Sequence, residues 1–502
     1  MEFSETPVAS GSRLIFPSES GDAFQAHRKT IRSELRDTYN RLHSISEDAA
    51  FVSEQVKAAF PDFPIVPNQR AGAWYVKPVP GEVRPHAYFK STDGHAGQHD
   101  FNLRRANLSL LSLIKERQGL ALVDSTRRGK RFPDALSKTV PTWCAVLNAA
   151  RCILLPPTSE DSTVSIEEWK RDGALWTLSS TISRSEHSQI EARIQEWALK
   201  LISSSYDLSS LLALDRPLRP VFISPASRLS SAPSPSTSFP TFYPIICVSA
   251  SKLAWDQDGL ERALGFTYVQ GSGDDHESWS RGLTADVFWN HENFILEAKR
   301  QDVDRVIERV LEEERGRASL PAQGSGGDGD GIAVKWIRRT GVGLILGAEP
   351  TNSMVVTTPT IRILAGKTIP ATPASEQMKD GHPDLVLVAK TGKAGYSGFF
   401  SSLDSPITFA KEALGRSDAS LVVQVGKSAQ QSEANDLGVA LALILFVKLY
   451  NDAGELEMSA ARPTKDIIRS RLAWILESFP STNPSRAVLQ KVNELLMSSI
   501  RS

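Results

Sequence analysis

The stretch SLPAQGSGGDGDG, Ser319 to Gly331, limits what this chain can fold into more than any other segment. Leu320 is its one sizeable apolar residue, so its contacts cannot offset the conformational entropy of ordering it. It reads as a flexible linker that divides the 502 residues into 1–318, the linker 319–331, and 332–502. Each flank is long enough to bury a core of its own.

Upstream of the linker, helical and strand patterns alternate. Phe24, Ile31, Leu35, Tyr39 and Leu42 recur at helical spacing and predict a helix over about Asp22 to Ile45. Pro61, Pro64 and Pro67 then stop helical structure, and RAGAWYVKP reads as a short aromatic strand. Ser188 and Glu191 have capping-box spacing for a helix carrying Ile190, Ile194, Trp197 and Leu201. VFIS and YPIICVSAS read as strands around the Ser/Pro loop SRLSSAPSPSTS, and Val303, Val306, Ile307, Val310 and Leu311 predict a closing helix. Beyond the linker, VKWI, VGLILG, MVVTT, IRILAG, LVLVAK and LVVQVG are strand-like, and three helical patterns follow. There is no internal repeat. The expected fold class is α/β in two domains.

Lys and Arg number 57 against 58 Asp and Glu, so any anion site has to come from local clustering. Cys144, Cys152 and Cys247 lack metal-ligand spacing and cannot all pair, which fits buried, reduced thiols. MEFSETPVASGSR has no apolar core of a secretory signal, and the longest apolar run, GVALALILFVKLY, is broken by Lys448. The expectation is a cytoplasmic protein, or a nuclear one, with no membrane segment. No stable protein partner is implied.

Four clusters carry candidate chemistry. In GLALVDSTRRGKRFPDALSKT an apolar run ends in Asp124, Ser125 and Thr126, followed by Arg127, Arg128, Gly129, Lys130 and Arg131, with Lys138 beyond. Backbone N–H groups and hydroxyls after a strand can hold a phosphate, and arginine adds bidentate contacts. The acid fits a ligand that also carries ribose hydroxyls or a magnesium ion; the plainer alternative is a solvated basic loop. Lys90, Ser91, Thr92, Asp93 and His95 form a polar turn ahead of Arg104 and Arg105. Acid plus imidazole could act as a general base or a magnesium ligand, or form an ordinary Asx turn. In TYVQGSGDDHESWSRG, Asp274 and Asp275 are candidate metal ligands, or helix N-terminal charge needing no metal. LVVQVGKSAQQSEAND places Gly426, Lys427 and Ser428 between a strand and a helix expected to start near Asp436. Such a unit can cradle phosphate, although it lacks the Walker A spacing.

AYFKSTDGHAGQHDFNLRRANL, LVDSTRRGKRFPDALSKTVPTWCAVLN, YVQGSGDDHESWSRGLT and STNPSRAVLQKVNELLM, with RAGAWYVKP and RPLRPVFISP, together resemble the initiator tRNA phosphoribosyltransferases. The resemblance spans most of the chain. It implies a family-specific mixed α/β N-terminal domain and a C-terminal domain like dual-specificity phosphatases. It implies transfer of a ribosyl phosphate from phosphoribosyl pyrophosphate, with magnesium, to the ribose 2′-hydroxyl of a T-stem adenosine. The acceptor would be initiator methionine tRNA, which is thereby kept out of elongation. Asp93 or His95 would be the general base, Asp274 or Asp275 the next candidates, with Asp124 at the donor. Arg104, Arg105 and Arg486 would serve the tRNA. Two departures stand out: Gln424 and Ala71 occupy positions where the family pattern suggests cysteine. A tRNA-binding protein without catalysis and a phosphate-ester hydrolase are the competing readings, and Gln424 in place of a thiol counts against the hydrolase.

Overall fold

A computed structural model describes residues 25, 29–69, 71–79, 84–85, 87–94, 97–127, 129–156, 163–229, 239–254, 260–262, 265–319, 334–337, 340–347, 358–366, 375–379, 382–415, 420–426, 428, 430–457, 463–479 and 482–498. The first domain is built on a parallel sheet of β1 (Ile65–Pro67), β2 (Leu120–Asp124), β3 (Leu218–Ile223) and β4 (Tyr243–Ser249), in the order β1-β2-β4-β3. Parallel sheets need cover on both faces, and every residue of β2 and β4 is buried. Leu120, Leu122, Ile245 and Cys247 pack against the helices Leu110–Arg117, Val140–Leu154 and Ile194–Ile202. Ala121, Val123, Ile246 and Val248 pack on the other face, against Thr38–Ala50 and Val303–Ser319.

Several expected elements are changed by context. The first long helix is broken at Asp37, whose carboxylate accepts from Asn40 N at 2.9 Å and caps a new helix, Thr38–Ala50. Phe24 lies outside the described residues. RAGAWYVKP is not a strand: Gly72–Tyr75 is a 3₁₀ turn that tucks Trp74 and Tyr75 into the core beside β2. The expected box at Ser188 and Glu191 is also corrected. Ser183 caps the helix Arg184–Glu191, with Ser188 inside it, while the full capping box is Ser165 with Glu168. After β4, a hairpin of β5 (Leu260–Arg262) and β6 (Thr267–Val269) leads to the Asp274–Asp275 loop.

The second domain has β7 (Lys335–Trp336), β8 (Val342–Leu346), β9 (Thr360–Ala365), β10 (Ser375–Lys379), β11 (His382–Ala389) and β12 (Leu421–Val425). Their order is β10-β11-β9-β12-β8-β7, parallel except for the two outer strands. MVVTT falls almost wholly outside the described residues. The strands do not all precede the helices as the sequence pattern suggests. Lys393–Ser401 and Asp404–Leu414 form between β11 and β12, which makes this a wound α/β domain. Its central helix starts at Gln431, not near Asp436, and runs to Leu449, buried all round as its apolar sequence requires. The closing helix Val303–Ser319 is as expected; the rest of the 319–331 stretch is outside the described residues. No described helix is long and apolar enough to cross a membrane.

The domains meet through polar contacts. Arg104 Nη2 donates to Pro484 O at 2.7 Å, Ser205 Oγ to Ser470 O at 3.1 Å, and Asp207 N to the Glu477 carboxylate.

Candidate active site

The chain leaves β2 toward one face of the sheet and leaves β4 toward the other. That divergence opens a crevice at the carboxyl ends of adjacent parallel strands, the usual ligand position in open α/β sheets. A cavity of about 200 Å³ lies there, bounded by Asn68, Lys90, Ser91, Asp124 to Arg127, Lys130, Asp134, Asp274 and Asp275.

Asp124 ends the central strand with its side chain 95% shielded, being 5% exposed. Its Oδ2 accepts from Asn68 Nδ2 at 2.8 Å and its Oδ1 from Ser125 N at 2.8 Å. Asn68 also exchanges hydrogen bonds with the Phe89 backbone, Nδ2 to O at 2.9 Å and N to Oδ1 at 2.8 Å. One buried amide thus ties the strand-end acid to the segment that brings Lys90 and Ser91 to the cavity.

Tyr75 performs the matching task on the other wall. Its hydroxyl accepts from Ser125 Oγ at 3.0 Å and from Gly273 N at 2.7 Å, fixing the loop that carries Asp274. Burial, with the Asp48 carboxyl nearby, pushes this phenol above its ordinary range, so it stays neutral. Gln270 Nε2 donates to Lys130 O at 2.9 Å and holds the basic loop. Gly271 has φ +71°, and a Cβ there would lie 2.8 Å from the Arg127 backbone, so the two loops touch because that side chain is absent. Asn68, Tyr75 and Gln270 were missed by sequence reasoning. The one signal was their placement inside the resembling blocks or beside them.

The other expected site residues divide clearly. Ser125, Thr126, Arg127 and Lys130 line the cavity with Lys90 and Ser91; Arg127 and Lys130 are exposed, and Lys130 Nζ reaches Asp134 Oδ1 at 3.0 Å. Gly129, at φ +77°, turns the loop in open space. Arg131 turns aside, its Nε donating to Ser224 Oγ at 2.9 Å. Lys138 is buried against Glu186 at 2.6 Å. Thr92 is exposed and does not line the cavity.

Asp93 is not brought to the cavity either. Arg105 Nε and Nη2 grip its two oxygens at 2.8 and 2.7 Å beside a space of only about 10 Å³, too small for substrate. Its pairing with Arg105, away from the lining of the cavity, weighs against the general base expected there. Arg104 and Arg105 are likewise spent on inward contacts, whereas Arg486 is exposed. His95, Arg128 and Lys427 lie outside the described residues.

Gly426 and Ser428 sit in the second domain, where Gln431 of the following helix bonds to both. Gln431 accepts from Ser428 N at 2.9 Å and donates to Asn435 Oδ1 at 2.8 Å and to Gly426 O at 3.4 Å. The cysteines are free thiols: Cys144 and Cys247 are fully buried, and partial burial pushes Cys152 up to about 11.

Among the described residues no group of three or more His, Cys, Asp or Glu side chains can hold a metal ion. Asp124, Asp274 and Asp275 nevertheless face one cavity. That donor set fits a magnesium ion that keeps waters and arrives on substrate phosphates, using one or two carboxylates, better than a protein-built cage.

Behind the cavity, Tyr268 OH donates to Asp48 Oδ1 at 2.8 Å, and burial raises the Asp48 carboxyl to about 8. An acid whose folded value exceeds its unfolded one contributes stability that is complete below about pH 4 and is lost as pH rises through about 8. Thermal melts from pH 4 to 8 are expected to show this decline, and Asp48→Asn to flatten it. An unchanged slope in the variant would assign the decline to another group.

The family model described as the Rit1 N-terminal domain matches residues 31–312, and that of the Rit1 DUSP-like domain matches residues 384–496. An uncharacterized protein of Schizosaccharomyces pombe is 34% identical over 479 residues, covering 93% of this chain and 96% of its own. The tRNA A64-2′-O-ribosylphosphate transferase of Saccharomyces cerevisiae is 38% identical over 303 residues, 57% of this chain and 56% of that protein.

Proposed function

This chain belongs to the initiator tRNA phosphoribosyltransferase family, and from that premise we propose that it moves a 5-phosphoribosyl group from phosphoribosyl pyrophosphate to a ribose 2′-hydroxyl of initiator methionine tRNA. The acceptor is a T-stem adenosine, and the modified tRNA is withheld from elongation in the cytoplasm. The observation that carries the site assignment is the convergence of Asp124, Ser125, Thr126, Arg127 and Lys130 on one cavity at the end of β2.

In the proposed reaction the bond from the anomeric carbon to pyrophosphate breaks, and the electron pair leaves with the pyrophosphate. The 2′-oxygen bonds to that carbon as its proton passes to a carboxylate. Thr126 holds donor phosphate, with Arg127, Lys130 and Lys90 opposing the charge that develops on the leaving group, while Ser125 ties the loop to Asp124 and Tyr75. Magnesium, when bound with the donor, supplies further charge neutralisation. Asp124 takes the role first given to Asp93, since it is the strand-end carboxylate held at the cavity; Asp274 and Asp275 face it. A carboxylate here also favours positive charge on the sugar. The exposed Arg127, Lys130 and Arg486 suit the RNA backbone, so binding should weaken steeply with salt.

The test mixes pure protein with initiator and elongator methionine tRNAs, labelled donor and magnesium. Label in the initiator alone is the expected result. Tight, salt-sensitive binding without label would replace this reading with a shielding protein that performs no chemistry.

A further inference from the structure

Arg104 and Arg105 are adjacent in a 3₁₀ turn, Leu103–Arg105, capped by Asn102. They point to different domains. Arg104 donates to the Pro484 carbonyl at 2.7 Å and reaches Asn483 Oδ1 at 3.4 Å, at the start of the last helix. Tyr206 OH donates to Leu103 O at 2.7 Å and steadies the turn from the first domain. Arg105 grips Asp93 with two hydrogen bonds and lies over the Tyr88 ring at 5.7 Å; both charged side chains are nearly buried, 11% and 12% exposed. Asp93 N donates to Lys90 O at 3.1 Å, and Thr139 Oγ1 donates to the same oxygen at 3.1 Å. Lys90 and Ser91 bound the donor cavity. A continuous set of bonds therefore runs from the DUSP-like domain to one wall of the site.

We propose that Arg105 and Asp93 are positioning residues, through which the docked C-terminal domain sets Lys90 and Ser91 against the donor. This rests on the transfer reading above. It gives the C-terminal domain a part in the reaction. It also explains why an acid that looks catalytic in sequence faces away from the cavity. Buried charges at this distance are held for their mutual geometry, and removing one leaves the other uncompensated.

The experiment measures donor KM, kcat and calorimetric donor affinity for the full-length protein and four variants: Asp93→Asn, Arg105→Gln, Arg104→Ala, and the swap Asp93→Arg with Arg105→Asp. Each of the three single variants is expected to raise donor KM roughly tenfold while kcat changes less than about threefold, the signature of lost positioning, not lost chemistry. The swap should recover donor affinity relative to Arg105→Gln. A folded Asp93→Asn that keeps its KM but loses about a hundredfold in kcat would return Asp93 to the chemistry and overturn the proposal. Unchanged donor KM in Arg104→Ala would break the link to the C-terminal domain. Because donor affinity is read separately, a wild-type protein that binds donor but labels no tRNA overturns the transfer reading, and the positioning role of Arg105 and Asp93 then stands or falls on the donor affinities of the variants.

Discussion

Asp124→Asn is expected to lower kcat about 10²–10⁴-fold while tRNA affinity stays within a factor of about two. The substitution keeps the shape of a side chain that is 5% exposed, so the fold should survive it. What changes is charge and hydrogen-bond direction. Asp124 accepts from both Asn68 Nδ2 and Ser125 N, and an amide can accept on one side only. One N–H would then face another N–H, at a cost of about 1–3 kcal/mol. The cavity would also lose the carboxylate proposed to take the 2′-hydroxyl proton and to favour positive charge on the sugar. Single-turnover transfer with saturating donor, alongside filter binding of initiator tRNA, measures both effects. Full activity in the variant would remove Asp124 from the chemistry and leave Asp274 and Asp275 as the carboxylates to test. Loss of tRNA affinity equal to the loss of rate would make Asp124 a docking residue.

Gly72→Ala is the second large effect, and it acts on the scaffold. A Cβ at this position would lie 2.2 Å from Val123 O and 3.2 to 3.3 Å from the Pro67 backbone. Both neighbours belong to β1 and β2, which pair through Pro67 and Val123. No flexible side chain can give way, so the strain has to move the strand ends or the turn carrying Tyr75. Overpacking typically costs 1–3 kcal/mol, and a clash with strand backbone belongs at or above the top of that range. A drop in melting temperature of roughly 6–12 °C is expected, with transfer lost because Asp124 immediately follows Val123. Gly398→Ala is the matched control, because Gly398 lies in the helix Lys393–Ser401 with nothing within 4 Å of an added Cβ. It should be neutral or slightly stabilising. Equal melting temperatures for Gly72→Ala and wild type would mean that the turn shifts without strain.

Much of the site was legible because local chemistry and local structure coincide at the end of β2. An apolar run followed by Asp124, Ser125 and Thr126 and a set of cations is what a strand feeding an anion-binding loop looks like, and the structure puts Asp124 to Arg127 and Lys130 on one cavity. The Lys90–His95 turn was harder to read. Lys90 and Ser91 reach the cavity, but two residues on Asp93 turns to Arg105, because a short 3₁₀ turn rotates successive side chains to different sides. Arg104 and Arg105 looked like surface charge for RNA, and nothing in the sequence marks that one would meet a carbonyl in another domain. RAGAWYVKP carries strand-favouring aromatics, yet tertiary burial of Trp74 and Tyr75 outweighs that weak preference.

The sequence by itself determined the two α/β patterns, the strand-end run of acid, hydroxyls and cations and, through several ordered blocks, the family. These depend on composition, on periodicity and on residues adjacent along the chain. Only the tertiary structure decided which charges serve the cavity and which are paired away from it. Asn68, Tyr75 and Gln270 gained their roles there, and Gln431 was brought onto Ser428 and Gly426. Each of those outcomes depends on partners that the chain brings together from distant positions, as Asn68 meets Asp124 and Tyr75 meets Gly273. A hydrogen bond that acts over about 3 Å leaves no periodicity in the sequence from which to read it.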